Sequence, residues 1–114
     1  MYKQDTVHGW RKDGHKVRVS HARFINGQGN VLAVITKENR KEYTNRIQAR
    51  GGKTRVEVTD NEFKHTFVAE AKCSKEEGYN KRIGVAICLG RIRKMIFEHR
   101  LALKMMNGAV ALDE

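Results

Sequence analysis

The chain has 114 residues, 39% of them apolar and 7% aromatic, which suits one domain with a modest core, so that disorder is not the default reading. Lys and Arg number 23 against 13 Asp and Glu, a formal net charge of +10. No apolar run reaches the roughly 18 residues of a transmembrane span, Met1 to Asp5 lack the apolar core of a signal peptide, and Cys73 and Cys88 make neither a disulfide framework nor a zinc set.

Both thiols are expected to be buried in a reducing compartment, and the chain is placed in the cytoplasm. The charge excess repels itself, which costs stability. It also matches an anionic partner, above all nucleic acid, because each neutralised phosphate releases a condensed counterion. The excess is spread along the chain, with no block of like charge marking a tail.

Near the start, Trp10 stands in His8-Gly9-Trp10-Arg11-Lys12, beside two basic residues. Two readings stay open for it: a ring that stacks on a base, or a cap on the edge of the core. Lys16-Val17-Arg18-Val19-Ser20 alternates polar and apolar, the period of a half-buried strand. Its edge is a place where two copies of the chain can pair. Asn26 to Asn30 is turn chemistry, and its Gly27-Gln28-Gly29 lacks the Lys-Ser or Lys-Thr of a phosphate loop. Val31 to Ile35 is a short apolar run, predicting a strand covered on both faces. Glu38 to Arg50 fits a hairpin turning at residues 38–41, or else a polar helix with Tyr43 and Ile47 facing in.

Gly51-Gly52 opens a clearer unit. Thr54, Val56 and Val58 alternate with Lys53, Arg55 and Glu57, a strand with one apolar and one charged face. Thr59 to Glu62 reads as a turn. Phe67, Ala69, Ala71 and Cys73 then alternate with polar neighbours, predicting an antiparallel hairpin with the preceding strand. Ser74-Lys75-Glu76-Glu77 has the spacing of a capping box, interrupted by Gly78, and predicts one short turn. The main helix is expected from Asn80 to about Met106, with Asn107-Gly108 as its stop.

At about 100° per residue, Val85, Cys88, Leu89, Ile92, Met95, Ile96 and Leu103 form the core stripe of that helix. Arg82, Arg93, Arg100 and Lys104 fall on its border as a basic ridge. The charged strand face with Lys53 and Arg55 is expected to extend the ridge. Arg presents a planar fork to phosphate oxygens and Lys a point charge. The candidate nucleic-acid contacts are therefore Arg82, Arg93, Arg100, Lys104, Lys53, Arg55, Arg11 and Trp10. The bland alternative is a solvated helix face.

His99 lies within the apolar stripe and reads as a core or helix C-terminal histidine. His8, His15, His21 and His65 are scattered without metal-ligand spacing. No nucleophile–base pair or paired carboxylates stand out. The expectation is a protein without catalysis, cofactor or metal.

The stretch from Val68 to Arg91 resembles small bacterial and phage proteins containing a double-stranded-RNA-binding-like fold. In their pattern a strand ends in Ala and a basic residue. A turn with acidic residues follows, then Ile-Gly and an apolar helix carrying an Arg. Ala71-Lys72, Ser74, Glu76-Glu77, Ile83-Gly84 and Leu89-Gly90-Arg91 fill those places, while Lys75 stands where members carry proline. The resemblance covers residues 53–100. It implies antiparallel strands followed by a packed helix, and contact with RNA or the ribosome.

Taken together, these features predict an α+β fold, an antiparallel sheet of about four to five strands packed against one long C-terminal helix. It forms a single domain over 1–114, with N-terminal strands over 1–50 and a hairpin-plus-helix unit over 53–106. The expected function is non-catalytic binding of RNA or DNA, or of a protein–nucleic-acid complex. The alternative is a phage-encoded, anti-CRISPR-like inhibitor of a host defence nuclease.

Overall fold

The computed structural model describes residues 6–27, 31–61 and 64–113, the side chains at 75–76 and 107–113 excepted. A short helix α1 (Val7–Lys12) leads into strands β1 (Lys16–Ile25) and β2 (Val31–Val34). One helical turn α2 (Arg40–Tyr43), two long strands β3 (Ile47–Thr59) and β4 (Thr66–Gly78), and the helix α3 (Lys81–Asp113) follow. The strands form one antiparallel sheet in the order β2-β1-β3-β4. With α3 on one face, this is the α+β arrangement that the alternation and the helix pattern predict.

The β3–β4 hairpin follows its alternation. Val56 faces Ala69 and Val58 faces Phe67, and all four are buried together with Thr54 and Ala71. They share the face that α3 covers, where Cys88, Leu89 and Ile92 are fully buried and Ile96 almost so. Val85 and Met95 flank this cluster. Asn80 caps the helix, its side-chain oxygen accepting from the Ile83 N–H at 3.2 Å. Gly84 lets the helix close on β3, since a Cβ there would stand 2.5 Å from Thr54 Oγ1.

Several local expectations are corrected. Residues 7–12 form a helix, not a strand, with Thr6 Oγ1 accepting from the Gly9 N–H at 3.0 Å. The segment 38–50 is neither a hairpin nor a long helix. Thr36 and Asn39 bond each other's backbone N–H groups, α2 makes one turn, and β3 begins at Ile47. Gly51-Gly52 thus lies inside β3, at φ 78° and 153°. There the register slips, Arg50 facing Gly78 and Gly52 facing Cys73. Residues 74–77 are the excursion of β4 opposite that slip, so the capping-box spacing forms no helical turn.

The Asn107-Gly108 stop is overridden too, and α3 continues to Asp113. A mid-helix glycine costs only about 1 kcal/mol against alanine, and Ala109 to Leu112 favour the helix. Cys88 is buried as expected, but Cys73 is only half-buried. Residues 28–30 and 62–63, where two of the expected turns extend, lie outside the described residues.

Val31–Val34 is one of the two edge strands, and Val31, Leu32 and Val34 are exposed instead of being covered on both faces. β1 is internal. β2 pairs with Ala22–Ile25 only, so among the described residues Lys16–Ser20 keeps one side without a strand partner. On that side Arg11 donates to the Val17 carbonyl at 2.8 Å.

Candidate functional site

A helix is about 10 Å across and strands lie about 4.8 Å apart, so one helix covers two strands. Here α3 takes β3 and β4, and the inner face of β1 needs other cover. Its inward row runs Val17, Val19, His21, Arg23, Ile25. Val7 and Trp10 of α1 pack against the core near Val17 and Val19. Further along, beside His21 and Arg23, a cleft of about 200 Å³ opens.

The cleft has His21, Arg23 and Ile47 as its floor, and Ile35, Thr36, Lys37 and Arg40 of the β2–β3 connection as one wall. Lys81, in the first turn of α3, closes it. Among the described residues, four cations line the cleft and no carboxylate does. Lys81 stands at the first position of α3, whose N-terminal end carries positive partial charge.

A hydrogen-bonded cluster braces the floor. His21 Nδ1 lies 2.8 Å from the Tyr79 hydroxyl and 3.1 Å from Thr54 Oγ1. Tyr79 and Thr54 are 2.9 Å apart, and the Tyr79 hydroxyl donates to the Lys53 carbonyl at 3.2 Å. Arg23 sits 4.2 Å over the Tyr79 ring and donates to the Gln48 carbonyl at 2.6 Å. Its guanidinium is thereby held in one orientation beside the cleft. Burial pushes the Tyr79 hydroxyl up from its ordinary pKa.

Burial lowers the pKa of His21, and the charges of Lys81 and Arg23 lower it further. The folded protein therefore binds fewer protons here than the unfolded chain does. The stability that neutral His21 supports is complete above the ordinary histidine range, and is lost as pH falls through the lowered value. Thermal melts taken from pH 7.5 downward should show wild type losing more stability than His21→Gln, which keeps a polar group at the Thr54–Tyr79 cluster. Equal slopes would remove His21 as the source.

The eight residues singled out from sequence fall in three places. Arg82, Arg93, Arg100 and Lys104 are exposed on α3, in one border row by helical angle. Arg100 approaches the buried Asp60 carboxylate at 3.7 Å. Lys53 and Arg55 do not extend that row, because they point to the sheet face opposite α3. Lys53 is ion-paired with Glu70, and Arg55 lies 3.0 Å from Glu57. Trp10 is half-buried on the core, with its ring edge on His15. Arg11 is held at Val17, away from the cleft.

Arg23, Lys37, Arg40, Lys81 and His21 were not singled out. One sequence signal was available: in the inward row of β1, His21 and Arg23 interrupt Val17, Val19 and Ile25. His99 also gains a partner invisible in sequence, since its ring stacks on His65 with centroids 5.3 Å apart, and both meet Phe67 edge-on.

Comparison with family models, with curated proteins and with solved structures gives no match. Among the described residues, no helix is long and apolar enough to cross a membrane.

Proposed function

We propose that this protein is a non-catalytic, cytoplasmic nucleic-acid-binding module that seats backbone phosphates in the cleft beside His21. The observation that carries this reading is the convergence of Arg23, Lys37, Arg40 and Lys81, with no carboxylate among the described lining residues. On the opposite face of the sheet, by contrast, Lys53 is paired with Glu70 and Arg55 with Glu57. A cluster left uncompensated beside a helix N-terminus costs stability until an anion occupies it. The net charge of +10 supplies long-range attraction to the same class of partner.

The α3 border of Arg82, Arg93, Arg100 and Lys104 offers further phosphate contacts along a duplex or a strand. The resemblance of residues 53–100 to proteins with a double-stranded-RNA-binding-like fold favours RNA. Contacts of this kind are with phosphate, so weak sequence preference is expected.

A titration with a short RNA duplex and a DNA duplex of the same sequence, at about 50 and 200 mM salt, tests the reading. Binding at low salt that weakens steeply at the higher salt is the expected result. No binding at low salt, or binding unchanged by salt, overturns it.

A further inference from the structure

The face of α3 turned away from the sheet is apolar as well. Ile83, Ile87, Phe97, Leu101 and Met105 are exposed by 58, 42, 65, 46 and 66%. At 100° per residue they fall within an arc of about 80°, opposite the core stripe of Cys88, Leu89, Ile92 and Ile96. Gly90 and Lys94 complete a seam in which Ile83, Ile87, Gly90, Lys94, Phe97 and Leu101 are spaced alternately by four and three residues. That is the spacing of a helix-pairing seam. Taking about 200 Å² for a fully exposed large side chain, the five apolar groups offer roughly 500 Å² per copy. This is at the upper end for a patch on a monomer. With its polar margins the face approaches the roughly 800 Å² per partner of a standard interface.

We infer that α3 pairs with α3 of a second copy, antiparallel, about a two-fold axis at the level of Ile92. The argument for a second copy is the area of this face, near what a dimer needs, together with the way its residue types match themselves in an antiparallel register. Ile87 and Phe97 lie five residues either side of Ile92, Ile83 and Leu101 nine, and Gly90 and Lys94 two. A two-fold interface must be complementary to itself. In this register Ile87 meets Phe97 of the partner subunit, and Ile83 meets Leu101 of the partner subunit. Lys94 of the partner subunit crosses Gly90, where a Cβ would meet nothing within 4 Å among the described residues of its own chain. Glycine is disfavoured within helices. Here its missing side chain gives the lysine stem room to lie flat. The offsets follow from the alternating spacing itself, but the match of types does not: apolar faces apolar at both outer levels, and the long Lys94 faces Gly90 at the centre.

In an antiparallel pair, like borders of the two helices adjoin. The row of Arg82, Arg93, Arg100 and Lys104 on one copy then lies beside the same row on the other. Their repulsion is screened by salt, so association strengthens as salt rises, the reverse of phosphate binding. This separates the pairing from the nucleic-acid reading, which can fail or hold independently.

The test is sedimentation equilibrium of the nuclease-treated full chain of 13.1 kDa at low and high salt. The expected result is a mass of two chains, with dissociation suppressed at high salt. Phe97→Glu is expected to weaken the pair on the order of 100-fold or more, because the two-fold places each substitution in the interface twice. Leu101→Lys serves as a second variant, and the melting curve of each checks that the fold is kept. In a Cys73→Ser background, Ile87→Cys with Phe97→Cys should oxidise to a covalent dimer. Ile87→Cys alone should not, since the two copies of position 87 stand about 15 Å apart along the axis. A single-chain mass at both salts overturns the inference. So does a dimer indifferent to both apolar-face variants, as pairing through a strand edge would give. A dimer cross-linked by Ile87→Cys alone, as parallel helices would give, overturns it too.

Discussion

Changing Lys37, Arg40 and Lys81 together to alanine should weaken binding to a short duplex by roughly 10- to 100-fold at low salt, and flatten its salt dependence. Each phosphate contact contributes close to one unit to the slope of log K against log salt, so three lost contacts should remove between two and three units. Lys37, Arg40 and Lys81 come from two separate walls of the cleft and are exposed. Their removal should therefore leave the core intact and the melting temperature near that of wild type.

The matched control is Lys53→Ala with Arg55→Ala. These positions also remove cations, but from side chains already held by Glu70 and Glu57. Hydrogen bonding to Lys53 holds the Glu70 carboxyl below its ordinary pKa, as expected of a committed ion pair. A small loss in this control beside a large loss in the cleft variant assigns the contact to the cleft, not to net charge. If the cleft variant binds like wild type while Arg82, Arg93, Arg100 and Lys104 variants do not, the α3 border is the binding surface and the cleft assignment is wrong.

The contrast between those two sets of lysines and arginines also marks what was legible in the sequence. Alternation over 53–73 and the apolar stripe of the helix are local periodicities, so they gave the hairpin, the core face and the helix start at Asn80. Strand order is not local. Nothing within Val31 to Ile35 says that β2 sits at the edge, and its apolar run reads equally as a buried strand. The width of the sheet decides the matter, because one helix covers β3 and β4 and leaves β2 exposed. The cleft is less legible still. His21, Arg23, Lys37, Arg40 and Lys81 span sixty residues and meet only through the β1–β3 pairing and the short turn at α2. A basic residue paired across strands, such as Lys53 with Glu70, looks the same in sequence as one left facing a cavity. The outward seam of α3 is periodic and was readable in principle. It is overshadowed by the stronger core stripe on the other side of the same helix.

Gly52→Ala should be the most damaging small substitution near the site, at about 3 kcal/mol or more. Gly52 has φ 153°, a region that side-chain-bearing residues rarely enter, and it sits where the β3–β4 register slips. An added Cβ would stand 2.8 Å from the Ala22 carbonyl oxygen and 2.7 Å from two carbons of the Tyr79 ring. The carbonyl belongs to β1, which is paired on both sides at Ala22, so it has no room to retreat. Backbone strain and overpacking each cost about 1–3 kcal/mol. For a chain of this size the sum corresponds to a fall in melting temperature on the order of 10 °C. The damage should also reach the cleft. Displacing the Tyr79 ring removes the surface on which Arg23 rests and the hydroxyl that meets His21 Nδ1. Binding should weaken further than stability alone explains when it is measured well below the melting temperature. Gly27→Ala is the reference, since a Cβ there meets nothing within 4 Å among the described residues although its φ of 78° is also positive. If the two glycine variants melt alike and bind alike, strain at positive φ explains both, and the Ala22–Gly52–Tyr79 contact does not shape the cleft.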